Sequence, residues 1–246
     1  LNLRELEQGL EKMKRVPSQD AKCKLVPGDL PGESDVVITL AKKRAWRTGV
    51  TFDDSGSKVT GRDQGSYNIA VDNLVQHNDT FSYTYIHDMD KHSAEKGSSS
   101  HSYFYSIPYG YWTYSFSAFP SRYHPTVHGT YSNFQMSGKS SNSSLTAPRV
   151  IPRDEDSKVM IDFQIGRKFS TSYLEDTEIT AQEKDTTSVE IGLSRRKNFS
   201  TGLIDMRIAG RRGVPWLGAE GDPELKYQKD MPTFEYFLGT FDFNLM

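Results

Sequence analysis

The chain has 246 residues, enough to bury one large core or two modest ones. Its 30 Lys and Arg residues nearly balance 32 Asp and Glu residues, so charge gives no reason to expect nucleic acid as a partner. Cys23 is the only cysteine, which excludes an intrachain disulfide and a multi-cysteine zinc site. We expect no metal and no cofactor.

No apolar run approaches the roughly 20 residues of a transmembrane helix, and the mean hydropathy is -0.64. A β-barrel wall, however, needs only every second residue to be apolar, in segments of about ten residues, so mean hydropathy barely registers it. The chain shows no signal-peptide pattern, begins without Met and stops at Met246 inside a predicted strand. We therefore expect a fragment.

The beginning of the chain predicts a small α/β unit. Apolar residues recur at spacings of three and four within residues 3–13, which predicts an amphipathic helix that ends at Pro17. Two short strands are predicted at residues 21–26 and 35–41, with Pro and Gly residues between them. Because one helix and two strands cannot bury a stable core alone, this unit is expected to complete a domain that starts upstream.

From about Arg44 onward, apolar and polar side chains alternate in segments rich in aromatic residues, Ser, Thr and Gly, which predicts strands with one apolar and one polar face. Ten strands are predicted, near residues 45–53, 62–72, 79–88, 101–108, 111–123, 135–151, 157–173, 184–197, 202–212 and 232–246. Pro148 and Pro152 interrupt the sixth of them, and a central strand tolerates proline badly. Short and long connections alternate, which is typical of an antiparallel meander in an outer membrane.

Two interpretations of these strands stay open, a soluble β-sandwich with a dry core and a membrane β-barrel. Strands of about ten to fifteen residues exceed the usual five or six but suit a tilted span of a bilayer. Aromatic residues crowd around a short turn near Tyr109, as an interfacial girdle requires. In the barrel interpretation the side chains that face lipid are Val159, Ile161, Phe163, Ile165, Trp112, Tyr114 and Phe116. Those that face a wet lumen are Asp162, Gln164, Glu190, Asp205 and Arg207.

One polar loop could be mistaken for a metal site, since His87, Asp88, Asp90 and His92 lie close together in sequence. Their spacing is unspecific, and a solvated loop explains them better. The sequence contains no phosphate-binding loop, no nucleophile elbow and no catalytic constellation, so an enzyme is not predicted.

A basic run lies where the small unit meets the first barrel strand. It consists of Lys42, Lys43, Arg44 and Arg47. A solvated periplasmic rim is the ordinary interpretation of such a run. The functional alternative is an electrostatic lip for an unfolded substrate.

The order of segments along the chain resembles a known family. It starts with LNLRELEQGLEKMKRVPSQDAK, a turn rich in Pro and Gly, and DVVITLAKKRAWRTGVTFDDSGS. The segments GSYNIAVDNLVQHNDTFSYTY and YSIPYGYWTYSFS follow, and then the stretch from Ser172 to Ala219. Over essentially its whole length the chain resembles the two-partner secretion transporters, outer-membrane proteins of the haemolysin secretion/activation type. SSLTAPRVIPRDEDS matches the family's sixth strand only loosely.

The resemblance implies two periplasmic POTRA modules followed by a sixteen-stranded antiparallel barrel in the outer membrane of a Gram-negative bacterium. Residues 1–42 would be the C-terminal part of the second POTRA module, and residues 43–246 about ten of the sixteen strands. The first POTRA module, the plug helix, the inward-folding loop and the last strands would have no counterpart in this sequence. An open sheet of ten strands would leave two unpaired edges in lipid, so residues 1–246 alone are not expected to insert.

The function implied by the resemblance is export of a large exoprotein, whether haemolysin, adhesin or contact-dependent toxin. That partner would bind through its N-terminal secretion domain, and the complete transporter would be monomeric in the lipid bilayer. Folding of the exported chain outside the cell would supply the energy. A soluble all-β binding protein and a passive porin-like channel stay open as alternative functions.

Overall fold

A computed structural model describes residues 3–30, 33–89, 96–128, 133–151, 157–175, 177–222 and 233–246. These residues form an N-terminal α-helix and antiparallel strands in two sheets. In chain order the elements are α1 Leu3–Lys14, β1 Gln19–Pro27, β2 Ser34–Lys42, β3 Trp46–Asp53, β4 Gln64–Asp72, β5 Thr80–Asp88, β6 Gly97–Tyr109, β7 Trp112–His124, β8 Thr126–His128, β9 Asn133–Ile151, β10 Ser157–Leu174, β11 Thr177–Glu178, a 3-10 turn Thr180–Gln182, β12 Lys184–Phe199, β13 Gly202–Val214 and β14 Phe237–Leu245. None of the described helices is long and apolar enough to cross a membrane.

The small unit at the start of the chain consists of α1 and the β1–β2 hairpin. The two strands pair antiparallel along their whole length, from Gln19 opposite Lys42 to Pro27 opposite Ser34. Val16 and Ala21 are completely buried, because the chain turns back against β1 directly after the helix. The predicted helix and its two strands are confirmed.

The large sheet is an antiparallel meander in which each long strand pairs with its neighbours in sequence. Its order is β14-β13-β12-β10-β9-β7-β6-β5-β4-β3, and the short strands β8 and β11 pair with β9 and β10. All ten predicted strands are present, and the mainly antiparallel β fold is confirmed. The sheet does not close on itself within the described residues, where β3 and β14 are its edge strands. The largest differences from prediction are in β14, which starts at Phe237 rather than near residue 232, and in β6, which starts at Gly97 rather than near residue 101.

Proline is accommodated inside β9 by a local gap in the pairing. Pro148 pairs with Asp162 on the β10 side, where the register runs on without a break. On the β7 side the register passes from Trp112–Arg149 directly to Ser115–Thr146. Since proline has no N–H to donate, the missing pairs fall where the ladder would need one. The expected distortion is therefore confined to one side of the strand, and Pro152 lies outside the described residues.

The two ends of the large sheet differ in their connections. At the end near α1 the turns are short, and β6 and β7 are joined through Gly110, whose φ of 55° favours glycine. The turn between β4 and β5 also contains residues with positive φ, namely Asn73, Gln76 and Asn78. Longer connections lie at the opposite end, which we call the loop end. The predicted alternation of short and long connections is confirmed for the described turns.

Polar contacts attach the small unit to the large sheet. The backbone N–H of Ser18 donates to Asp72 Oδ2 at 3.0 Å. The Arg47 guanidinium binds the same carboxylate through Nη1 at 2.5 Å and Nη2 at 2.9 Å. Arg15 donates to the Ser106 hydroxyl, and burial lowers the pKa of the Arg15 guanidinium. The buried Asp72 carboxylate thus joins the end of the small unit to β3 and β4.

Replacement of Asp72 by Ala should loosen this junction at a cost of about 2 kcal/mol, because hydrogen bonds to a charged group contribute about 1.5–3 kcal/mol. In this and the later membrane experiments the substitutions are made in a complete transporter that contains residues 1–246, because the open sheet alone is not expected to insert. We expect trypsin to cut that inserted transporter faster at Arg15. Asp54→Ala is the matched control, since it removes an ion pair with Arg62 in which both side chains are exposed. Equal cutting rates in the two variants would show that Asp72 does not hold the junction.

Candidate functional site

The large sheet has two chemically different faces, because side chains alternate along every strand. Ile161 of β10 lies opposite Leu193 of β12, and Leu193 lies opposite Ile208 of β13. One residue further along β10, Asp162 lies opposite Gly192. The register therefore collects the apolar residues of successive strands on one face and polar residues on the other.

The apolar face is exposed over a wide area. Phe163, Ile208 and Phe241 are 41%, 59% and 68% exposed. Trp112 packs on this face against Phe163, with ring centroids 5.9 Å apart. A contiguous apolar surface of this kind marks an interaction with another protein or with a membrane. All seven residues predicted to face lipid share this face, and their contact with lipid stays a prediction.

A cluster of ion pairs joins three strands on the polar face. Arg207 Nη2 of β13 lies 2.6 Å from Asp162 Oδ2 of β10 and 2.6 Å from Glu190 Oε1 of β12. Arg211 Nε donates to the second carboxylate oxygen of Glu190, also at 2.6 Å. Two guanidiniums thus neutralise two carboxylates through charge-assisted hydrogen bonds. We call these four residues the Arg207 cluster.

A glycine in β12 makes room for this cluster. A Cβ placed on Gly192 would lie 2.6 Å from Asp162 Oδ2 and 2.7 Å from Arg207 Nη2. Both distances are shorter than a van der Waals contact, so a side chain at this position would push the two partners apart. The glycine therefore lets the two charged ends meet directly above it, and a side chain here would have to displace them.

We predict that Gly192→Ala destabilises the folded protein by about 1–3 kcal/mol, the usual cost of overpacking a filled site. Gly166→Ala is the matched control. Gly166 lies in β10 on the same polar face of the sheet, and a Cβ there would meet its nearest neighbour at 3.7 Å, an ordinary van der Waals contact. The stability of both variants is measured by urea unfolding of the membrane-inserted protein, with heat-dependent gel mobility as the signal for folded protein. The prediction fails if Gly192→Ala and Gly166→Ala unfold at the same urea concentration.

The residues predicted to face a lumen all lie on the polar face, but only three of the five meet in the Arg207 cluster. Gln164 lies on the same face and pairs in register with Glu190. Asp205 lies nearer the end that carries α1 and binds Arg196, with Nη2 and Oδ2 2.5 Å apart. Sequence reasoning missed Arg211, although its spacing of four residues from Arg207 places both on one face of β13. Contact of this face with water stays a prediction.

Small hydroxyl groups dominate the polar face of β6, β7 and β9. Hydroxyl pairs link neighbouring strands at distances of 2.6, 2.8 and 2.7 Å, in the pairs Ser106–Ser115, Ser117–Ser144 and Ser121–Ser140. Each serine satisfies part of its hydrogen-bonding capacity with its partner. We call this part of the polar face the serine wall.

The basic run and the polar loop singled out in the sequence analysis have ordinary hydrogen-bonding or ring contacts. In the basic run, Arg47 binds Asp72, and the Arg44 guanidinium lies 4.3 Å from the centroid of the Trp46 ring. His87 Nδ1 lies 2.7 Å from the carbonyl oxygen of its neighbour Asp88. Asp90 and His92 lie outside the described residues. Among the residues that the structure describes, no group of three His, Cys, Asp or Glu side chains could hold a metal ion.

An antiparallel sheet with one exposed apolar face and one polar face is the architecture of the wall of an outer-membrane β-barrel. The structure therefore indicates that class of protein. The family model described as "Haemolysin secretion/activation protein ShlB/FhaC/HecB" matches residues 32–246. A POTRA-domain model matches residues 1–27. The chain belongs to the ShlB/FhaC/HecB family of haemolysin secretion/activation proteins. Its location is the outer membrane, with the POTRA part in the periplasm.

Individual relatives agree with this assignment. The chain is 37% identical to the outer membrane transporter CdiB-2 of Burkholderia pseudomallei (strain 1026b) over 219 residues, covering 89% of this chain and 38% of that protein. It is 25% identical to the hemolysin transporter protein ShlB of Serratia marcescens over 223 residues, covering 91% and 40%. The structure resembles CdiB from Escherichia coli with a TM-score of 0.86 and 26% identity, covering 96% of this chain and 44% of that one. The chain spans about two fifths of the length of these relatives.

Proposed function

We propose that this chain forms part of the wall of an outer-membrane channel that exports a large partner polypeptide by two-partner secretion. The observation that carries the proposal is the neutralised polar face opposite an exposed apolar face. A hydrated wall whose charges already have partners lets an unfolded chain pass without holding it. The relatives named as transporters of the CdiB and haemolysin type support the same conclusion.

In this proposal the apolar face touches lipid and the polar face lines the lumen. Along β10 the apolar side chains run from Val159 to Ile165, which corresponds to about 20 Å at 3.3 Å per residue. Charged residues lie towards both ends of this stretch, with Arg195 opposite Val159 and Arg149 opposite Ile161 near one end and Arg167 two residues after Ile165 at the other. An outward-facing band of about 25 Å is typical of outer-membrane barrels. The dimensions therefore fit a bilayer span.

Residues 1–42 would act as the periplasmic docking module, and residues 43–246 as the channel wall. An extended segment of the partner could add to an edge of the sheet that contains β1 and β2, because backbone hydrogen bonds accept any sequence. The POTRA match favours an exporter over a passive porin-like channel. The exposed apolar face disfavours a soluble all-β binding protein. We assign a transport role and no catalytic one.

Site-specific cross-linking of a stalled partner tests the proposal. A partner exoprotein would carry a folded domain that stops its export partway. In a Cys23→Ser background, we expect a thiol cross-linker at Gln164→Cys to capture the partner. Phe163→Cys, the adjacent residue on the opposite face, is the matched control and should capture none. Capture at both positions, or at neither in cells that export the unmodified partner, would contradict the proposed lumen.

A further inference from the structure

The apolar face carries a cationic pocket near its loop end. A cavity of about 360 Å³ lies there, and its lining includes His101, Arg122, Lys139 and Phe169. The register explains how they meet, because Arg122 of β7 lies directly opposite Lys139 of β9. Serine hydroxyls complete the lining, at Ser99 and Ser141. We call this the outer pocket.

Arg122 and Lys139 of the outer pocket differ from the nearby Arg167 in having no carboxylate partner in the part of the chain that the structure describes. Arg167, further along the same end of the face, is neutralised by Asp185, with Nη2 and Oδ2 2.5 Å apart. No carboxylate among the described residues forms an ion pair with Arg122 or Lys139, and both side chains are exposed. Positive charge at this position is therefore available to an anion from outside the protein.

Next to the outer pocket the apolar face is aromatic. His101 stacks on Tyr85 with ring centroids 4.8 Å apart, and Tyr83 lies 5.0 Å from Tyr103 by the same measure. The Tyr83 hydroxyl also bonds His101 Nδ1 at 2.9 Å. Aromatic belts of this kind lie at the level of lipid headgroups. A ligand of the pocket would thus meet cations at its head and apolar rings along its body.

We propose that the outer pocket binds a phosphorylated lipid of the outer leaflet through its headgroup. Arginine matches a phosphate bidentately, lysine adds a point charge, and serine hydroxyls can donate to the remaining oxygens. The acyl chains would then lie on the apolar face below Phe169 and the tyrosines. This inference rests on the proposed orientation, in which the apolar face touches lipid and the loop end is external.

Native mass spectrometry of the protein extracted from outer membranes tests this binding. The probe is lipid A with both phosphates, added to delipidated protein in detergent, beside its dephosphorylated form and inorganic phosphate. Each cation near an anionic surface contributes about a fivefold gain in affinity, corresponding to about 1 kcal/mol. We therefore expect Arg122→Gln/Lys139→Gln to weaken binding of phosphorylated lipid A about thirtyfold. Lys168→Gln/Lys184→Gln, which removes two cations from the polar face at the same end, should bind normally.

Each alternative result has a clear meaning. Equal binding by the two double variants, or equal binding of lipid A with and without phosphates, would overturn the outer pocket as a lipid site. Displacement of the lipid by inorganic phosphate at similar concentration would also overturn it and indicate a free-phosphate site. Nitroxide labels at Ile161→Cys and Asp162→Cys, in a Cys23→Ser background, separate this failure from failure of the orientation. If the label at Ile161 contacts lipid and the label at Asp162 does not, the proposed orientation stands. Equal binding of lipid A by the two double variants would then show that only the lipid site is wrong.

Discussion

Replacement of Arg207 by Met is expected to lower the free energy of unfolding by about 2–3 kcal/mol, between the cost of losing an exposed ion pair and that of breaking a fully buried one. Arg207 binds two carboxylates on different strands, and Glu190 is only 6% exposed. Without Arg207, Asp162 loses its cation and Glu190 keeps only Arg211. Urea unfolding of the membrane-inserted protein, followed by gel mobility, measures the difference.

Arg196→Met is the matched control for this experiment. Arg196 also binds a carboxylate on the polar face, that of Asp205, but its side chain is 55% exposed. Water screens such a pair, so the expected loss is about 0–1 kcal/mol. Restoring the balance by Asp162→Asn in the Arg207→Met protein should recover part of the stability, because Asp162 is the carboxylate that loses its cation. Equal losses for Arg207→Met and Arg196→Met would mean that the Arg207 cluster is no more important than an exposed ion pair.

Phe163→Arg is expected to prevent assembly in the outer membrane or to destabilise the inserted protein by about 2–4 kcal/mol. The reason is that an arginine on the lipid face near the bilayer midplane costs about that much. Phe163 lies in the middle of the apolar stretch of β10 and is 41% exposed. The amount of protein in outer-membrane fractions and its heat-dependent gel mobility would report the defect.

Gln164→Arg provides the matched control, because the two residues are adjacent in β10 and point to opposite faces. An arginine on a hydrated face adds no such penalty, so assembly should be close to normal. Similar assembly of the two variants would refute the proposed orientation of the sheet. This pair is therefore the most direct stability test of which face touches lipid.

The strands were predictable because alternation of apolar and polar residues is a local property of the sequence. The sequence of β10, with Val159, Ile161 and Phe163 alternating with polar residues, shows both the strand and its faces without knowledge of any partner. Short turns were predictable for the same reason, since Gly110 allows a backbone conformation that other residues disfavour. These features depend on residues that are neighbours in the chain.

The Arg207 cluster was only partly predictable, because it depends on the register between strands. Asp162 and Arg207 are 45 residues apart in sequence and belong to strands that do not pair with each other. Only the position of β12 between them, with Gly192 at the crossing, brings the two side chains into contact. Pro148 illustrates the same limit, since the sequence predicts a problem in β9 but not which neighbouring strand loses its hydrogen bonds.

If the polar face lines an export channel, as we propose, the serine wall affects the speed of transport. Its hydroxyls already bond one another, as Ser117 and Ser144 do at 2.8 Å, so a moving peptide gains little enthalpy by replacing these bonds. A shallow energy profile along the path means short dwell times at every step. Side chains of very different chemistry would then slide past at similar rates, and a long exoprotein would not stall on its way out.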